Sequence, residues 1–183
     1  MAKSQANTEK KSRVIIAEVL SSLLQSSGSL STHLSKYKDH PESSLIQETC
    51  YGCCRWFRLL EHILDQFLKK PLKSKDRDIK CLLIAALYQL RELNQAEYAV
   101  INESVSAANL LGKPWAKGLV NAVLRNYLRG KDKVEEGLSS TSTDIQYSFP
   151  KWLFDQLESQ WPNDAESIVI ASNERPPLSL RGN

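Results

Sequence analysis

The sequence has 183 residues, of which 42% are hydrophobic and 25% are charged, and its formal net charge at pH 7 is +3. This composition is that of a globular protein with one sizeable core. Its longest apolar runs, such as residues 81–87, are far shorter than the roughly 20 residues that span a bilayer. The polar N-terminus also lacks the apolar core of an export signal, so we expect a cytoplasmic protein without membrane contact.

Apolar residues recur at three- and four-residue spacing along most of the chain, which is typical of amphipathic helices. Before residue 130 the pattern predicts helices over Ser12–Gln25, Leu30–Tyr37, Ser43–Leu68, Lys75–Leu93, Ala99–Leu111 and Trp115–Leu128. Gly130 follows the last of them and fits a helix C-cap. In the third helix, Gly52 indicates either a bend or a close contact between two helices. We therefore predict an all-α fold, built as an antiparallel helical bundle.

The region after these helices differs in character, because residues 131–148 are polar and rich in hydroxyl groups. Such a composition is typical of a linker. Two short helices, Pro150–Gln160 and Asp164–Ser172, are predicted next, and Leu178–Arg181 alternates apolar and polar residues as an opening β-strand would. A single strand is not stable by itself, so we expect it to belong to a domain that follows Asn183.

These features divide the chain into three parts. We predict a helical domain over residues 1–130, a polar linker over residues 131–148, and a short helical connector over residues 149–183 that leads into a further domain. No internal repeat of about 20–50 residues is present, which argues against a repeat architecture.

Local motifs for catalysis or cofactor binding are absent. The glycines are isolated, so they form no glycine-rich phosphate loop, and no Ser/His/Asp arrangement is suggested. Cys50, Cys53 and Cys54 lie within five residues, and Cys81 lies in an apolar stretch. We interpret all four as core thiols; a zinc or redox pair, or a nucleophilic Cys53 or Cys54, is the alternative. We therefore predict no catalytic residue, no metal site and no cofactor within this sequence.

Basic residues are concentrated in two segments, as a phosphate-binding surface requires. Residues 69–80 hold six basic and two acidic residues, and residues 113–133 hold six basic and one acidic residue. The alternative for either run is an ordinary solvated face.

The second basic segment places a row of donors on one side of its predicted helix. The row consists of Lys117, Asn121, Arg125 and Arg129, which are spaced four residues apart. Four residues make slightly more than one helical turn, so each side chain lies a little further around the same side of the helix, opposite the apolar residues. Lysine and arginine pair with phosphates, and asparagine can hydrogen-bond sugar or base edges. We therefore predict nucleic-acid contacts at these four residues and at Lys113. The alternatives are a solvated face, or a partly buried Asn121 that ties helices together.

A second candidate site lies in the third predicted helix. Arg55 and Arg58 form an i,i+3 pair beside Trp56 and Phe57. Arginine next to an aromatic ring suits single-stranded RNA, because its bases can stack on the ring while the arginine binds its phosphates. The alternative is that both aromatic residues belong to the core and the arginines extend past them into solvent.

Several strings of residues occur together in a characteristic order. They are Glu48–Arg55 (ETCYGCCR), Leu83–Leu90 (LIAALYQL), Tyr98–Val105 (YAVINESV) and Lys117–Arg125 (KGLVNAVLR). This set resembles the NusB-type RNA-binding domain. With Asn173–Arg181 (NERPPLSLR) added, nearly the whole chain resembles the N-terminal part of the Sun/Fmu family of ribosomal RNA small-subunit methyltransferases. Each string is weak alone, whereas their order and spacing together are specific.

The resemblance implies a NusB-like bundle whose partner is small-subunit (16S) ribosomal RNA. In that family a Rossmann-like domain follows and transfers a methyl group from S-adenosylmethionine to cytosine C5. The catalytic domain of that family has a Pro-Cys site and a second, Thr-Cys, site. We expect neither site to have an equivalent here, so none of the four cysteines is expected to act as the nucleophile. S-adenosylmethionine is therefore expected in the following domain, and the present chain alone is expected to be non-catalytic. Arg55, Asn121 and Arg125 lie within the strings that carry the resemblance.

The leading hypothesis is a monomeric RNA-binding module that positions ribosomal RNA for a methyltransferase domain. The main alternative is a stand-alone transcription antitermination factor of the NusB kind, which is not an enzyme. The tail from Tyr147 to Asn183 favours the methyltransferase, because a stand-alone bundle is expected to end near Gly130. A third hypothesis is a helical scaffold that binds only proteins.

Overall fold

The computed structural model describes residues 10–25, 28–93, 95–174 and 179–181. In these ranges the protein forms ten α-helices and no β-strand, and none of the helices is long and apolar enough to cross a membrane. The helices are α1 (Ser12–Leu23), α2 (Leu30–Leu34), α3 (Ser43–Arg55), α4 (Phe57–Phe67), α5 (Arg77–Glu92), α6 (Glu97–Leu110), α7 (Ala116–Leu138), α8 (Thr143–Gln146), α9 (Lys151–Gln160) and α10 (Ala165–Asn173). The predicted all-α fold is confirmed.

Helix α5 is the centre of the bundle. Every residue from Cys81 to Leu90 is buried, so the helix has no solvent-exposed side over about three turns. Helices α1, α3, α4, α6 and α7 pack against it. A helix that is buried on every side needs neighbours all around it, which explains why the long helices share a single core.

A close contact between α3 and α5 occurs at Gly52. A Cβ atom placed on Gly52 would lie 1.9 Å from Cζ of Tyr88, so only a residue without a side chain fits. The hydroxyl group of Tyr88 donates a hydrogen bond to Oε1 of Glu48 over 3.0 Å, which holds the ring against the glycine. Of the two roles predicted for Gly52, the close helix contact is the one found in the structure.

The third predicted helix is two helices in the structure. Helix α3 ends at Arg55 and α4 begins at Phe57, because Trp56 has a φ of −103° and a ψ of 21°, in the bridge region rather than the α-helical region. The N–H of Trp56 still donates to the carbonyl of Gly52 over 2.9 Å. The break therefore redirects the chain while this backbone group stays paired, and apolar spacing alone does not reveal it.

Helix α7 continues to Leu138, so the predicted end at Leu128, with Gly130 as the C-cap, is wrong. Its last two turns carry Val134 and Leu138, which are buried and extend the apolar side beyond the glycine. Arg91 of α5 also binds the carboxylate of Glu135, with Nε–Oε1 and Nη2–Oε2 distances of 2.9 and 3.0 Å. These tertiary contacts outweigh the roughly 1 kcal/mol by which glycine disfavours a helix interior. The first part of the predicted linker is therefore helical.

Three short helices follow the bundle. Helix α8 lies within the predicted linker and packs against α4, and α9 contacts α8 and α10. Helices α9 and α10 agree with the two predicted helices to within one residue at each end. The predicted strand begins at Leu178, outside the described residues, and residues 179–181 have no regular secondary structure. The division of the chain into three parts at residues 130 and 148 stays a prediction.

Replacement of Gly52 by alanine is expected to destabilise the protein. The added methyl group would meet the Tyr88 ring, and overpacking of this kind costs typically about 1–3 kcal/mol of unfolding free energy. Gly118→Ala is the matched control, because no atom lies within 4 Å of a Cβ at that helical position. Alanine there should add about 0.5–1 kcal/mol of stability. Urea unfolding followed by circular dichroism measures both variants, and a Gly52→Ala protein as stable as Gly118→Ala would contradict the close packing.

Candidate nucleic-acid interface

One side of α7 is anchored in the core and the other carries polar side chains. The buried side includes Val120, Val123, Leu124 and Tyr127. On the outer side, Lys117, Arg125 and Arg129 are exposed and Asn121 is half-buried. We call these last four residues the α7 ridge. The arrangement predicted from the four-residue spacing is therefore present in the structure.

Two amide side chains of α7 orient the arginines of the α7 ridge. Nε of Arg125 donates to Oδ1 of Asn121 over 3.0 Å, so Asn121 bonds within its own helix rather than tying two helices together. Nη2 of Arg129 donates to Oδ1 of Asn126. These acceptors are neutral, and no carboxylate of the described residues lies within 4.0 Å of the cationic groups of Lys117, Arg125 and Arg129. The α7 ridge is thus a cationic surface that an external anion can reach.

A groove of about 350 Å³ lies beside the ridge, between α6 and α7. It is lined by Glu97, Tyr98, Ile101, Arg125, Leu128 and Arg129, and we call it the α6–α7 groove. Tyr98 is 74% exposed, which is high for so large a ring. Neither Tyr98 nor Glu97 was predicted as a site residue, because nothing in the local spacing separates an exposed tyrosine at a helix start from a buried one.

Lys113 differs from the cations of the α7 ridge, because aspartates neutralise it. Its ammonium group binds Asp78, lies 3.1 Å from Oδ1 of Asp76 and donates to the carbonyl of Lys75 over 2.6 Å. Burial lowers the pKa of Lys113, but the hydrogen bonds to Asp78 and Asp76 raise it, and the result lies above the ordinary lysine value. Lys113 thus links the turn between α6 and α7 to the start of α5. RNA contact by Lys113 stays a prediction, and its neutralised charge favours it less than the cations of the α7 ridge.

Arg55 and Arg58 lie at the junction of α3 and α4. The aromatic residues between them, Trp56 and Phe57, are partly buried against the core, as the alternative interpretation held. Arg58 faces the C-terminal segment, where its Nη1 lies 3.9 Å from Oδ2 of Asp144. In the described part of the chain, no hydrogen bond or ion pair connects either arginine with the α7 ridge. RNA contact by Arg55 and Arg58 therefore stays a prediction, separate from the ridge.

The cysteines offer no reactive group in the core. Cys50, Cys53 and Cys81 are buried free thiols, and Cys54 is exposed. Burial raises the pKa of the three buried thiols, to about 12 for Cys81, so they stay protonated near neutral pH. Thr49 and Cys50 form a Thr-Cys dipeptide, but both are completely buried in α3 and out of reach of a substrate. The described residues also contain no group of three or more His, Cys, Asp or Glu that could hold a metal ion.

Comparison with known protein families identifies two regions of the chain. Residues 4–129 match the model of the NusB family. Residues 149–183, where a helical connector was predicted, match a model described as "Methyltr_RsmF/B-like, ferredoxin-like domain". The α7 ridge thus lies within the NusB match, and α9 and α10 lie within the second match.

Curated relatives cover nearly the whole chain. A Coxiella burnetii protein named "Probable ribosomal RNA small subunit methyltransferase B" is 42% identical over 93% of this chain and 39% of its own length. Two further relatives carry the name "Ribosomal RNA small subunit methyltransferase B". The protein from Pseudomonas putida is 38% identical over 92% of this chain and 38% of its own length. The protein from Erwinia tasmaniensis is 34% identical over 93% of this chain and 40% of its own length. The chain spans about two fifths of the length of these relatives. These matches show that the chain belongs to the NusB family and is similar in sequence to proteins named ribosomal RNA small subunit methyltransferase B.

Proposed function

We propose that the chain is the RNA-binding part of a ribosomal RNA small-subunit methyltransferase and that the α7 ridge contacts the RNA backbone. One observation carries this proposal. Lys117, Arg125 and Arg129 project from a single helix, and no carboxylate of the described residues neutralises them. Such cations displace counterions when they bind phosphates, and this release supplies much of the affinity for nucleic acids. Asn121 adds a neutral group that can bond sugars or base edges.

The comparisons favour this function over the two other hypotheses. The relatives carry the name ribosomal RNA small subunit methyltransferase B, and the match over residues 149–183 is to a model of methyltransferase type. A stand-alone antitermination factor gives no reason for that second match. A scaffold that binds only proteins gives no reason for the row of cations on the α7 ridge.

The methyl-transfer chemistry is proposed to lie outside these 183 residues. The described ranges contain no strand followed by a glycine-rich loop, which is the arrangement that Rossmann-type domains use for their cofactors. From the family resemblance, we propose that a further domain of a longer protein binds S-adenosylmethionine and methylates cytosine C5 in 16S ribosomal RNA. A cytoplasmic location follows from that partner, and we expect the chain to bind RNA as a monomer.

Removal of two cations from the α7 ridge is expected to weaken RNA binding and to reduce its dependence on salt. The plot of log K against log salt concentration has a negative slope. In the double variant Lys117→Gln with Arg125→Gln, each lost phosphate contact should reduce the magnitude of that slope by about 0.7–0.9. The measurement is the fluorescence anisotropy of a labelled helix–loop fragment of small-subunit ribosomal RNA, titrated with the full chain at several salt concentrations.

The matched control is the double variant Lys11→Gln with Lys38→Gln. It removes two positive charges as well, from exposed positions outside α7. Because the net charge falls equally in both double variants, only a local contact predicts a difference between them. Equal losses of affinity, or the absence of salt-dependent binding by the unsubstituted chain, would contradict the role of the α7 ridge.

Lys113 and Lys117 are expected to affect different properties of the protein. Lys113→Met leaves Asp76 and Asp78 without their cation at a largely buried site, so the unfolding free energy should fall by about 1–3 kcal/mol. Lys117→Met removes an exposed charge and should change stability by less than about 0.5 kcal/mol while it weakens RNA binding. Urea unfolding and the anisotropy titration measure the two effects. A Lys113→Met variant that loses RNA affinity but keeps its stability would show this division of roles to be wrong.

A further inference from the structure

The α6–α7 groove combines groups that suit a planar ligand attached to an anion. Tyr98 forms an exposed aromatic wall on α6, and Ile101 and Leu128 give the groove an apolar lining. Arg125 and Arg129 stand on the α7 side. An aromatic ring, an apolar surface and two cations therefore meet within one small volume.

We propose that the α6–α7 groove holds one unpaired nucleobase of RNA. Tyr98 stacks on the base, and Arg125 and Arg129 bind the phosphates on either side of it. Glu97 accepts hydrogen bonds from the edge of the base. This inference rests on the proposed function, because it specifies how the RNA that meets the α7 ridge is recognised.

The size and composition of the groove favour a base over larger ligands. Its volume of about 350 Å³ is close to the lower limit of small-molecule sites, about 300 Å³. A groove of this size takes a single ring system, whereas a helix or strand of a protein partner needs a longer one. Recognition of single-stranded RNA commonly joins aromatic stacking with cations that follow the backbone. Bases in a duplex stack on one another, so the groove distinguishes unpaired from duplex RNA.

Glu97 gives the groove a preference among bases. Its carboxylate forms no ion pair with Arg125, Arg129 or any other residue that the structure describes. An ionised carboxylate only accepts hydrogen bonds. Guanine offers two adjacent N–H donors on its Watson–Crick edge, whereas uracil offers one donor between two carbonyl oxygens, which a carboxylate repels. The groove therefore favours guanine and disfavours uracil, and its negative charge directs the phosphates toward the arginines.

Substitutions of Tyr98 and Glu97 in the full chain test the base site. The probes are a short oligouridine with one central guanosine, an all-uridine strand of the same length, and an RNA duplex without unpaired bases. Tyr98→Ala should weaken binding of the guanosine strand by about 5- to 150-fold, the loss expected for one base-stacking contact, and should leave duplex binding unchanged. Tyr98→Phe keeps the ring and should bind all three probes like the unsubstituted chain. Glu97→Gln should remove the preference for guanosine.

Anisotropy titrations at constant salt give the affinities, and circular dichroism checks that each variant is folded. Because Tyr98 is mostly exposed, its replacement is not expected to affect folding. If Tyr98→Ala binds the guanosine strand as tightly as the unsubstituted chain, the base site is overturned, while a loss in the ridge double variant still supports the α7 ridge. If the unsubstituted chain binds none of the three probes, the proposed function itself fails. A preference for uridine, or a guanosine preference that survives Glu97→Gln, overturns the role of Glu97.

Discussion

Helix α5 cannot be left uncovered, because ten consecutive buried residues, Cys81–Leu90, would otherwise meet water. Helices α6 and α7 cover part of it and also pack against each other. This shared packing decides which side of α7 faces outward. Tyr127 adds a second restraint on the rotation of the helix, because its ring meets Phe67 of α4 edge-on with the ring centroids 6.1 Å apart. The position of the α7 ridge is thus a consequence of how the core is filled.

A cationic row on an anchored helix differs from the other basic segment of the chain. The lysines of residues 69–75 lie on the connection between α4 and α5, so their ordering on an RNA surface would cost conformational entropy. In α7 the backbone is already fixed, Asn121 and Asn126 hold the arginine side chains, and the Arg91–Glu135 pair secures the far end of the helix. A module whose proposed task is to position RNA for a reaction elsewhere benefits from such a fixed surface.

The α7 ridge could be predicted from the sequence because the spacing of residues along one helix is a local property. Contacts between distant segments could not. The basic segment alone predicts an RNA contact at Lys113, whereas its pairing with Asp78, 35 residues earlier, arises only from the packing of α5 and is not visible in the local sequence. The local sequence also predicts that α7 ends at Leu128 before a Gly130 cap, because the Arg91–Glu135 pair that accompanies its continuation joins residues 44 positions apart. The α6–α7 groove is formed by two neighbouring helices, so neither helix shows it alone.

The outer side of α7 and the groove beside it are where RNA is proposed to bind. The most direct measurement follows the backbone amide NMR signals of the isotope-labelled chain as an unlabelled fragment of small-subunit ribosomal RNA is added. If RNA binds there, the signals that change belong to residues 97–101 and 117–133, while those of α1 and α9 keep their positions. Changes confined to α3, α4 or the C-terminal helices, with the amides of α7 unaffected, would contradict the proposed interface.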